Sequence, residues 1–392
     1  MAPDWSSLPG DLINRVAERL LATDDLDYYM DFRAVCRSWR SSTTDPRSNP
    51  RDPRFLPRQW VMLDDDEVHQ ETDARLFVNV ATGRFVRRDL PLLRRYFVIS
   101  GAAGGSIVLA KIAFPHAARV LNPFTGSLLR FEAPMPYQMM AAAPVIIGSS
   151  PPTLVLISEY AESGSITCAD PDSERFIEFK EERYIYPPIK LAVRGAIYVA
   201  AHEGGSLPSL LVPTVNKILD VASKPIRDYF PGPEATENRC FFVESAGEML
   251  MVFKMPHRIE VFKFDARIDK LEPLKDLGCR ALFVGDRRCL AVDAEKLPSV
   301  EANCIYYVFV DDEEPWYEYP TALYKIYSLK DEIEVWSSEV MDSPKGSPPF
   351  TVVQLLCSYT LDARGSELMN SPKTRLARLE EFLAYDSKSE YN

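Results

Sequence analysis

The chain has 392 residues, of which 46% are hydrophobic, and a formal net charge of -12 at pH 7. This length exceeds what one hydrophobic core usually covers, and the hydrophobic content excludes a largely disordered chain, so we expect two or more folded units. The acidic balance argues against a nucleic-acid partner, which would need a basic face, and no apolar run is long enough to make a membrane partner expected.

Seven cysteines and four histidines are scattered along the chain instead of being grouped. This spacing predicts neither a metal site nor a catalytic triad, because both need such side chains close together. The segment from Gly101 to Ser106 lacks the Gly-Lys-Ser/Thr ending of a phosphate loop, so no cofactor is predicted. An odd number of cysteines without a secretory leader is typical of reduced thiols, and we expect a non-enzymatic protein of the cytoplasm, the nucleus or both.

Two short apolar helices are predicted within the first 45 residues. Pro9 is tolerated in a first helical turn, and Asp11 lies near the positive end of the helix dipole. Apolar residues then recur at helical spacing in two stripes, the first made of Leu12, Ile13, Val16, Ala17, Leu20 and Leu21, and the second of Phe32, Val35, Cys36 and Trp39. Helices this short cannot hold a core alone, so the stripes must be buried against something else.

Two blocks of this segment resemble the F-box of plant proteins: Leu8-Pro9-x-x-Leu12-Ile13-x-x-Val16 and Arg33-Ala34-Val35-Cys36-Arg37-x-Trp39-Arg40. The resemblance implies that residues 1–45 form a helical module that binds a Skp-type adaptor and, through it, a cullin. The adaptor-binding residues that it implies are Leu8, Pro9, Leu12, Ile13, Val16, Leu20, Val35, Cys36 and Trp39. The alternative is an ordinary helical hairpin that packs on the rest of the chain.

Residues 46–70 are predicted to be a proline-rich linker. Four prolines fall between Thr44 and Pro57, and proline disfavours helix in the residue before it. The linker would separate the helical module from the rest of the chain, although a long loop within one domain is the alternative.

From residue 71 to about residue 340 the pattern changes to short strands that are joined by glycine turns. One example is Leu191 to Val193, followed by Arg194-Gly195 and then Ala196 to Val199, which is typical of a hairpin. Roughly twenty such strands are expected. Helical periodicity returns in only three places, namely Val215 to Ser223, Asp293 to Leu297 and Thr374 to Tyr385.

The motif Asn-x-x-Thr-Gly occurs at Asn79–Gly83 and again at Asn122–Gly126, 43 residues later. This spacing is close to one propeller blade of about 45 residues, which predicts a β-propeller-like domain of about six blades. A radial arrangement of blades would also cover the edges of many short strands. A β-sandwich or barrel is the main alternative.

The stretch from Ala281 to Asp312 and the motif at Asn122–Gly126 resemble the plant F-box-associated domain of the DUF295 type, which is thought to be propeller-like. The residues that carry this resemblance are Leu282-Phe283-Val284-Gly285-Asp286, Cys289-Leu290-Ala291-Val292, Leu297-Pro298 and Asn303-Cys304-Ile305-Tyr306-Tyr307. The resemblance implies a substrate-recognition domain over residues 71–340.

A second candidate binding segment combines acids with aromatics: Asp311, Asp312, Trp316 and Tyr317. Aromatic rings and carboxylates on one loop could hold a basic or peptide ligand of a target protein. The alternative is a solvated loop.

The expected fold class is therefore mainly β, with a small all-α module at the start and a C-terminal extension, residues 341–392, that contains a short helix. The expected function is that of the substrate-recruiting F-box subunit of a Skp-cullin-F-box ubiquitin ligase, with an unknown protein target. Two alternatives stay open. One is a propeller-like ligand-binding protein or enzyme whose helical start is not an adaptor module, and the other is an F-box protein that retains its partner without ubiquitination.

Overall fold

The computed structural model describes the greater part of the chain, in segments that are separated by short gaps. These segments are residues 5–63, 73–101, 105–136, 141–145, 152–158, 165–180, 184–185, 191–193, 196–202, 209–213, 218–220, 239–255, 258–265, 270–285, 288–310, 322–341 and 351–361. Within them, no helix is long and apolar enough to cross a membrane.

Three helices open the chain: α1 at Gly10–Leu21, α2 at Leu26–Ala34 and α3 at Arg37–Ser42. α1 begins directly after Pro9, whose carbonyl oxygen accepts from the backbone N–H groups of Leu12 and Ile13. Asp11 in its first turn and Arg19 in its last turn both favour the helix dipole. The helical module predicted from the sequence is therefore present.

The remaining described residues contain 25 strands in six sheets, which we call blades 1 to 6 in chain order. Blade 1 comprises β1 Trp60–Leu63, β2 Ala74–Asn79 and β3 Phe85–Asp89; blade 2 comprises β4 Tyr96–Gly101, β5 Ile107–Lys111, β6 Ala117–Leu121 and β7 Leu128–Pro134; blade 3 comprises β8 Ala141–Val145, β9 Thr153–Ser158, β10 Ser165–Ala169 and β11 Ile177–Lys180. Blade 4 comprises β12 Tyr184–Ile185, β13 Leu191–Val193, β14 Ala196–His202, β15 Ser209–Pro213 and β16 Ile218–Asp220; blade 5 comprises β17 Arg239–Ser245, β18 Glu248–Lys254, β19 Ile259–Asp265 and β20 Lys270–Leu274; blade 6 comprises β21 Arg280–Val284, β22 Cys289–Asp293, β23 Cys304–Val310, β24 Ala322–Ser328 and β25 Ile333–Met341.

The six blades contact one another in ring order. Shared hydrophobic cores lie between blades 1 and 2, between blades 2 and 3, between blades 5 and 6, and between blades 6 and 1. The ring is completed where β8 lies beside β14 and where β13 lies beside β17. This arrangement is a propeller and excludes the sandwich and barrel alternatives, because each blade packs on its two neighbours.

The number of complete blades is five, slightly lower than the count of about six expected from the sequence. Five sheets have the four or five strands of a complete blade, whereas the described part of blade 1 has three. Ladders inside the blades are antiparallel, and the parallel pairing of β21 with β23 in blade 6 is the exception among the described strands. The fold class is therefore mainly β, as predicted.

The repeated Asn-x-x-Thr-Gly motif forms the same turn twice. The Oδ1 atom of Asn79 accepts from the backbone N–H groups of Ala81 and Thr82 at 3.0 Å, and the Asn122 carboxamide caps its own turn in the same way. Gly83 has a φ of 69°, and a Cβ atom there would lie 2.2 Å from the Lys296 carbonyl oxygen, so this turn requires glycine. The turns join β2 to β3 and β6 to β7, which are corresponding positions counted from the last strand of each blade.

The C-terminal extension contains a short helix, as predicted, but at an earlier position than residues 374–385: α4 at Val352–Leu361 packs against β1, β21 and β23. Leu356, Cys357 and Thr360 on this helix are fully buried. Among the described strands, β1 pairs only with β2, so α4 lies at the incomplete side of blade 1 and fills its junction with blade 6. The helix predicted at residues 374–385 lies outside the described residues.

Two expectations need correction, one about a domain boundary and one about secondary structure. The strand β1 begins at Trp60, inside residues 46–70, so the propeller starts before the predicted boundary at residue 71. The stretch predicted to be helical between Val215 and Ser223 contains β16 instead, because the sheet supplies partners for its backbone that a local pattern does not reveal.

Candidate adaptor-binding surface on the N-terminal helices

The first helix presents part of its apolar sequence to solvent. Pro9, Leu12 and Val16 lie on one side of α1 by their helical spacing, and all three side chains are exposed. Trp5, which precedes α1, and Val35, which follows α2, are 63% and 62% exposed. We call these five residues the exposed apolar surface. Exposed apolar residues grouped in one small module are what the predicted adaptor-binding site requires.

The nine residues predicted to bind an adaptor fall into three groups. Pro9, Leu12, Val16 and Val35 are exposed, and a second group is half-buried, namely Leu8, Leu20, Cys36 and Trp39. Ile13 is fully buried, in the same core as Ala17, and it therefore supports α1 from inside. Its position does not allow direct contact with an adaptor, whereas the other eight residues stay predicted contacts.

Two of the half-buried residues also hold the module together. The indole Nε1–H of Trp39 donates to the carbonyl oxygen of Trp5 at 3.0 Å, and its ring lies against Phe32 with centroids 4.4 Å apart. The Sγ atom of Cys36 accepts from the backbone N–H of Trp39 at 3.5 Å and so caps α3. Mutating either residue would therefore disturb the fold of the module as well as its surface.

Arg33 is a buried structural residue, which sequence reasoning missed. Its Nη1 atom donates to the carbonyl oxygens of Arg40, Thr43 and Thr44 at 2.7 to 3.2 Å and to the Thr43 hydroxyl at 2.8 Å. These bonds satisfy carbonyl groups at the end of α3, where the helix cannot supply partners. The guanidinium of Arg33 therefore connects the end of α3 to α2, and it is not available to a partner.

Two buried carboxylates and two partly exposed arginines join α2 to blade 1; we call these four residues the charge cluster. Asp25 and Asp27 are almost completely buried, and the Nη2 atom of Arg84 lies 2.9 Å from Asp25 Oδ1 and 2.6 Å from Asp27 Oδ2. Arg88 pairs with Asp27, and burial lowers the pKa of the Arg88 guanidinium, against the opposing effect of Asp25. Removing one member of a buried ion pair typically costs about 3–5 kcal/mol.

The same helices share a hydrophobic core with the propeller. The Tyr29 ring lies 5.5 Å from that of Phe55, and its hydroxyl donates to the Thr44 carbonyl oxygen at 2.7 Å. Burial raises the pKa of Tyr29 above its usual value. The residues of this core come from all three sources, namely Ile13, Leu26, Tyr29 and Phe32 of the helices, Trp60, Met62 and Phe77 of blade 1, and Ile107, Leu109 and Leu121 of blade 2.

The segment between the helices and β1 acts as a brace. Asn122 of blade 2 donates from Nδ2 to the Phe55 carbonyl oxygen at 2.7 Å, and Arg47 donates from Nε to the Thr125 carbonyl oxygen at 3.0 Å. Residues of the predicted linker are therefore held by the turn of blade 2. Together with the charge cluster and the shared core, these bonds make the helical module and the propeller one unit.

The second candidate site, made of Asp311, Asp312, Trp316 and Tyr317, lies outside the described residues. Over the parts of the chain that are described, no group of three or more His, Cys, Asp or Glu side chains is arranged to hold a metal ion.

The family match agrees with this architecture. Residues 57–336 match the KIB1-4 beta-propeller family, and two curated relatives from Arabidopsis thaliana are F-box proteins by name. The putative F-box protein At1g65770 is 40% identical over 72 residues, which is 18% of each chain; the F-box protein At2g26160 is 22% identical over 345 residues, which is 78% of this chain and 96% of that protein. Among solved structures, TolB from Acinetobacter baumannii resembles the chain at 11% identity with a TM-score of 0.38, over 80% of this chain and 71% of that one.

The match to the first relative thus spans less than a fifth of its length, whereas the match to the second spans nearly all of it. The recognition of a plant F-box protein with a propeller domain is confirmed by the family match and by these relatives. Because the matching family model covers well over half of the chain, the chain belongs to the KIB1-4 beta-propeller family.

Proposed function

We propose that this chain is the substrate-recruiting subunit of a Skp-cullin-F-box ubiquitin ligase. Its exposed apolar surface binds a Skp-type adaptor, the adaptor joins it to a cullin, and the propeller holds a target protein. The exposure of Pro9, Leu12, Val16 and Val35 on a module that resembles an F-box is the observation that carries this proposal. The F-box names of two relatives support it.

In this function the chain performs no bond chemistry itself. It raises the effective concentration of a target beside a ubiquitin-charged enzyme, and such proximity is effective only if the geometry is fixed. The charge cluster and the shared core provide that rigidity, because they leave no flexible joint between the adaptor-binding helices and the propeller. We expect the complex to act in the cytoplasm, the nucleus or both.

Co-purification of the full chain with a Skp-type adaptor tests the proposal. Leu12→Asp and Val16→Asp place a charge on exposed positions of α1, where the helix itself does not need the apolar side chain. Desolvating an unpaired carboxylate is costly, so each variant should reduce adaptor binding by about tenfold or more. Val335→Asp, which introduces the same charge at an exposed apolar position of β25, is the matched control and should bind as the wild type does.

Failure of the wild-type chain to bind any Skp-type adaptor would refute the proposal. Equal loss of binding in Val335→Asp would show that the effect is not specific to the helices. Ubiquitination of captured proteins is then measured in a reconstituted ligase, and their half-life is measured in cells with and without this chain. Together the two measurements separate a degraded target from a retained partner.

A further inference from the structure

The most exposed large apolar side chain in the described part of the molecule is that of Phe114, at 76% exposure. It lies in the loop between β5 and β6 of blade 2, two residues after Ile112, which is also exposed. Neither residue takes part in the hydrophobic cores that hold the blades together. Exposed aromatic side chains are enriched at protein interfaces because they bury a large apolar area on binding.

Hydrogen bonds connect the loop that carries Phe114 to itself, to the end of β5 and to the residue that follows β7. The backbone N–H of His116 donates to the Ala113 carbonyl oxygen at 3.0 Å, and the His116 Nδ1 atom lies 2.9 Å from the Lys111 carbonyl oxygen. The His116 carbonyl oxygen in turn accepts from the Met135 backbone N–H at 3.0 Å, and the imidazole ring is buried with the Phe114 ring edge-on to it. A loop restrained by such bonds loses less entropy when a partner binds than an unrestrained loop does.

Two basic residues, Arg95 and Lys111, lie beside this loop, although the chain as a whole is acidic. The backbone N–H of Ile112 donates to the carbonyl oxygen of Arg95 at 3.2 Å, so Arg95 lies directly across from Ile112. Arg95 and Lys111 are exposed, and neither makes an ion pair with the described residues. Their charges are therefore available to an acidic partner.

The loop lies away from the helical module. The strand β6 has the Phe114 loop at one end and the turn Asn122–Ser127 at the other, and it is this turn that contacts Arg47 and Phe55. Five residues of strand span about 17 Å, so a partner on Phe114 would not compete with the brace.

From this placement we infer that the surface made by Arg95, Lys111, Ile112 and Phe114, the Phe114 surface, is where the propeller holds its target. It takes a peptide segment in which an acidic residue lies close to an aliphatic or aromatic residue. The apolar side chain packs on Phe114 and Ile112, and the carboxylate pairs with Arg95 or Lys111. This inference rests on the proposed function, because it names the surface and the chemistry by which the target is recruited. Aromatic and arginine side chains dominate the energy of such interfaces, and charge complementarity selects the partner.

A selection from random twelve-residue peptides on phage tests the inference, with the immobilised full chain as bait and Phe114→Ala for counter-selection. Enriched peptides should contain Asp or Glu within three positions of a Leu, Ile, Met or aromatic residue. Measured by fluorescence anisotropy, the binding of one enriched peptide should weaken about tenfold or more in Phe114→Ala and in Arg95→Glu. Two matched controls should stay within about twofold of the wild type: Ile333→Ala, an exposed apolar side chain of blade 6, and Arg130→Glu, an exposed arginine of blade 2.

Enrichment of basic or purely apolar peptides, failure to enrich any peptide, or equal binding to Phe114→Ala would each overturn the inference. Adaptor co-purification is measured on the same variants and should be unchanged in Phe114→Ala and Arg95→Glu. If the wild-type chain binds acidic peptides through Phe114 but binds no adaptor, the proposed function fails while the peptide surface stands. If it binds the adaptor but selects no such peptide, the surface fails and the proposed function stands.

Discussion

Asp25 is the residue at which the attachment of the helices to the propeller can be tested most sharply. Its Oδ1 atom accepts from the backbone N–H of Tyr28 at 3.3 Å and so caps α2, and both carboxylate oxygens accept from Arg84, at 2.9 and 3.2 Å. Replacing Asp25 with alanine removes both functions, whereas replacing it with asparagine keeps the cap and removes the charge, because Asn caps helices as well as Asp does.

The size of the two effects can be worked out from these contacts. Loss of a helix N-cap costs about 1 kcal/mol. A buried ion pair broken on one side costs about 3–5 kcal/mol, but Arg84 keeps Asp27 at 2.6 Å and is partly exposed, so the loss should be close to that of a charged hydrogen bond, about 2 kcal/mol. We therefore expect the free energy of unfolding to fall by about 3 kcal/mol in Asp25→Ala and about 2 kcal/mol in Asp25→Asn.

Urea denaturation of the full chain measures both values, followed by circular dichroism and by tryptophan fluorescence. Trp5 and Trp39 belong to the helical module and Trp60 to blade 1, so both signals should show one common transition if the helices and the propeller unfold together. The control is Asp31→Ala, an exposed carboxylate on the same helix, which should change the free energy of unfolding by no more than about 0.5 kcal/mol. The reasoning is refuted if Asp25→Ala behaves like Asp31→Ala, or if the helices unfold at lower urea than the propeller. The second result would mean that the charge cluster does not couple them.

Three further predictions concern the helical module, its core and a carboxylate of blade 5. Deletion of residues 1–45 should leave a less stable and less soluble chain, since it exposes the shared core and leaves Arg84 without carboxylates; a soluble product with wild-type urea midpoint would contradict this. Trp39→Ala should lower the free energy of unfolding by about 2–3 kcal/mol, which is less than for a fully buried tryptophan because the indole is half-buried. Trp39→Phe should lower it by about 1 kcal/mol, because only the hydrogen bond to Trp5 is lost. Burial raises the pKa of Glu244 above its usual value of 4.5, so the unfolded chain releases this proton first and the residue destabilises the fold as pH rises. Glu244→Gln keeps the bond from Gly247 and should therefore gain stability over the wild type as pH rises above 4.5, and a difference that does not change with pH would count against this assignment.

The features that were predictable from sequence are those with a local physical cause. Pro9 and Asp11 set the start of α1, and the spacing of apolar residues set its length. The turns at Asn79 and Asn122 were predictable because a short carboxamide can cap the turn that its own backbone begins, and because glycine adopts the positive φ at the end of each turn without strain. The alternation of short strands and turns was then enough to predict a propeller.

The features that were not predictable depend on residues far apart in the chain. Asp25 and Arg84 are 59 residues apart, so no periodic pattern connects them, and each alone resembles a solvated surface charge. Arg33 resembles part of a basic helix face, because nothing in the local sequence reveals the carbonyl groups that surround it. Ile13 shares the helical stripe of Leu12 and Val16, and only the position of blade 1 decides which of them is buried.

These long-range contacts also change how the predicted linker should be understood. Proline-rich composition removes backbone donors, but it does not prevent side chains such as Phe55 from being buried, and Phe55 is 3% exposed here. A flexible linker would let the propeller sample many orientations relative to the adaptor, which dilutes the effective concentration of a bound target. A brace fixed by Asn122 and Arg47 removes that freedom, so a target on the Phe114 surface would be held at one distance and angle. Loop substitutions on that surface could then change which protein is recruited without changing where it is presented.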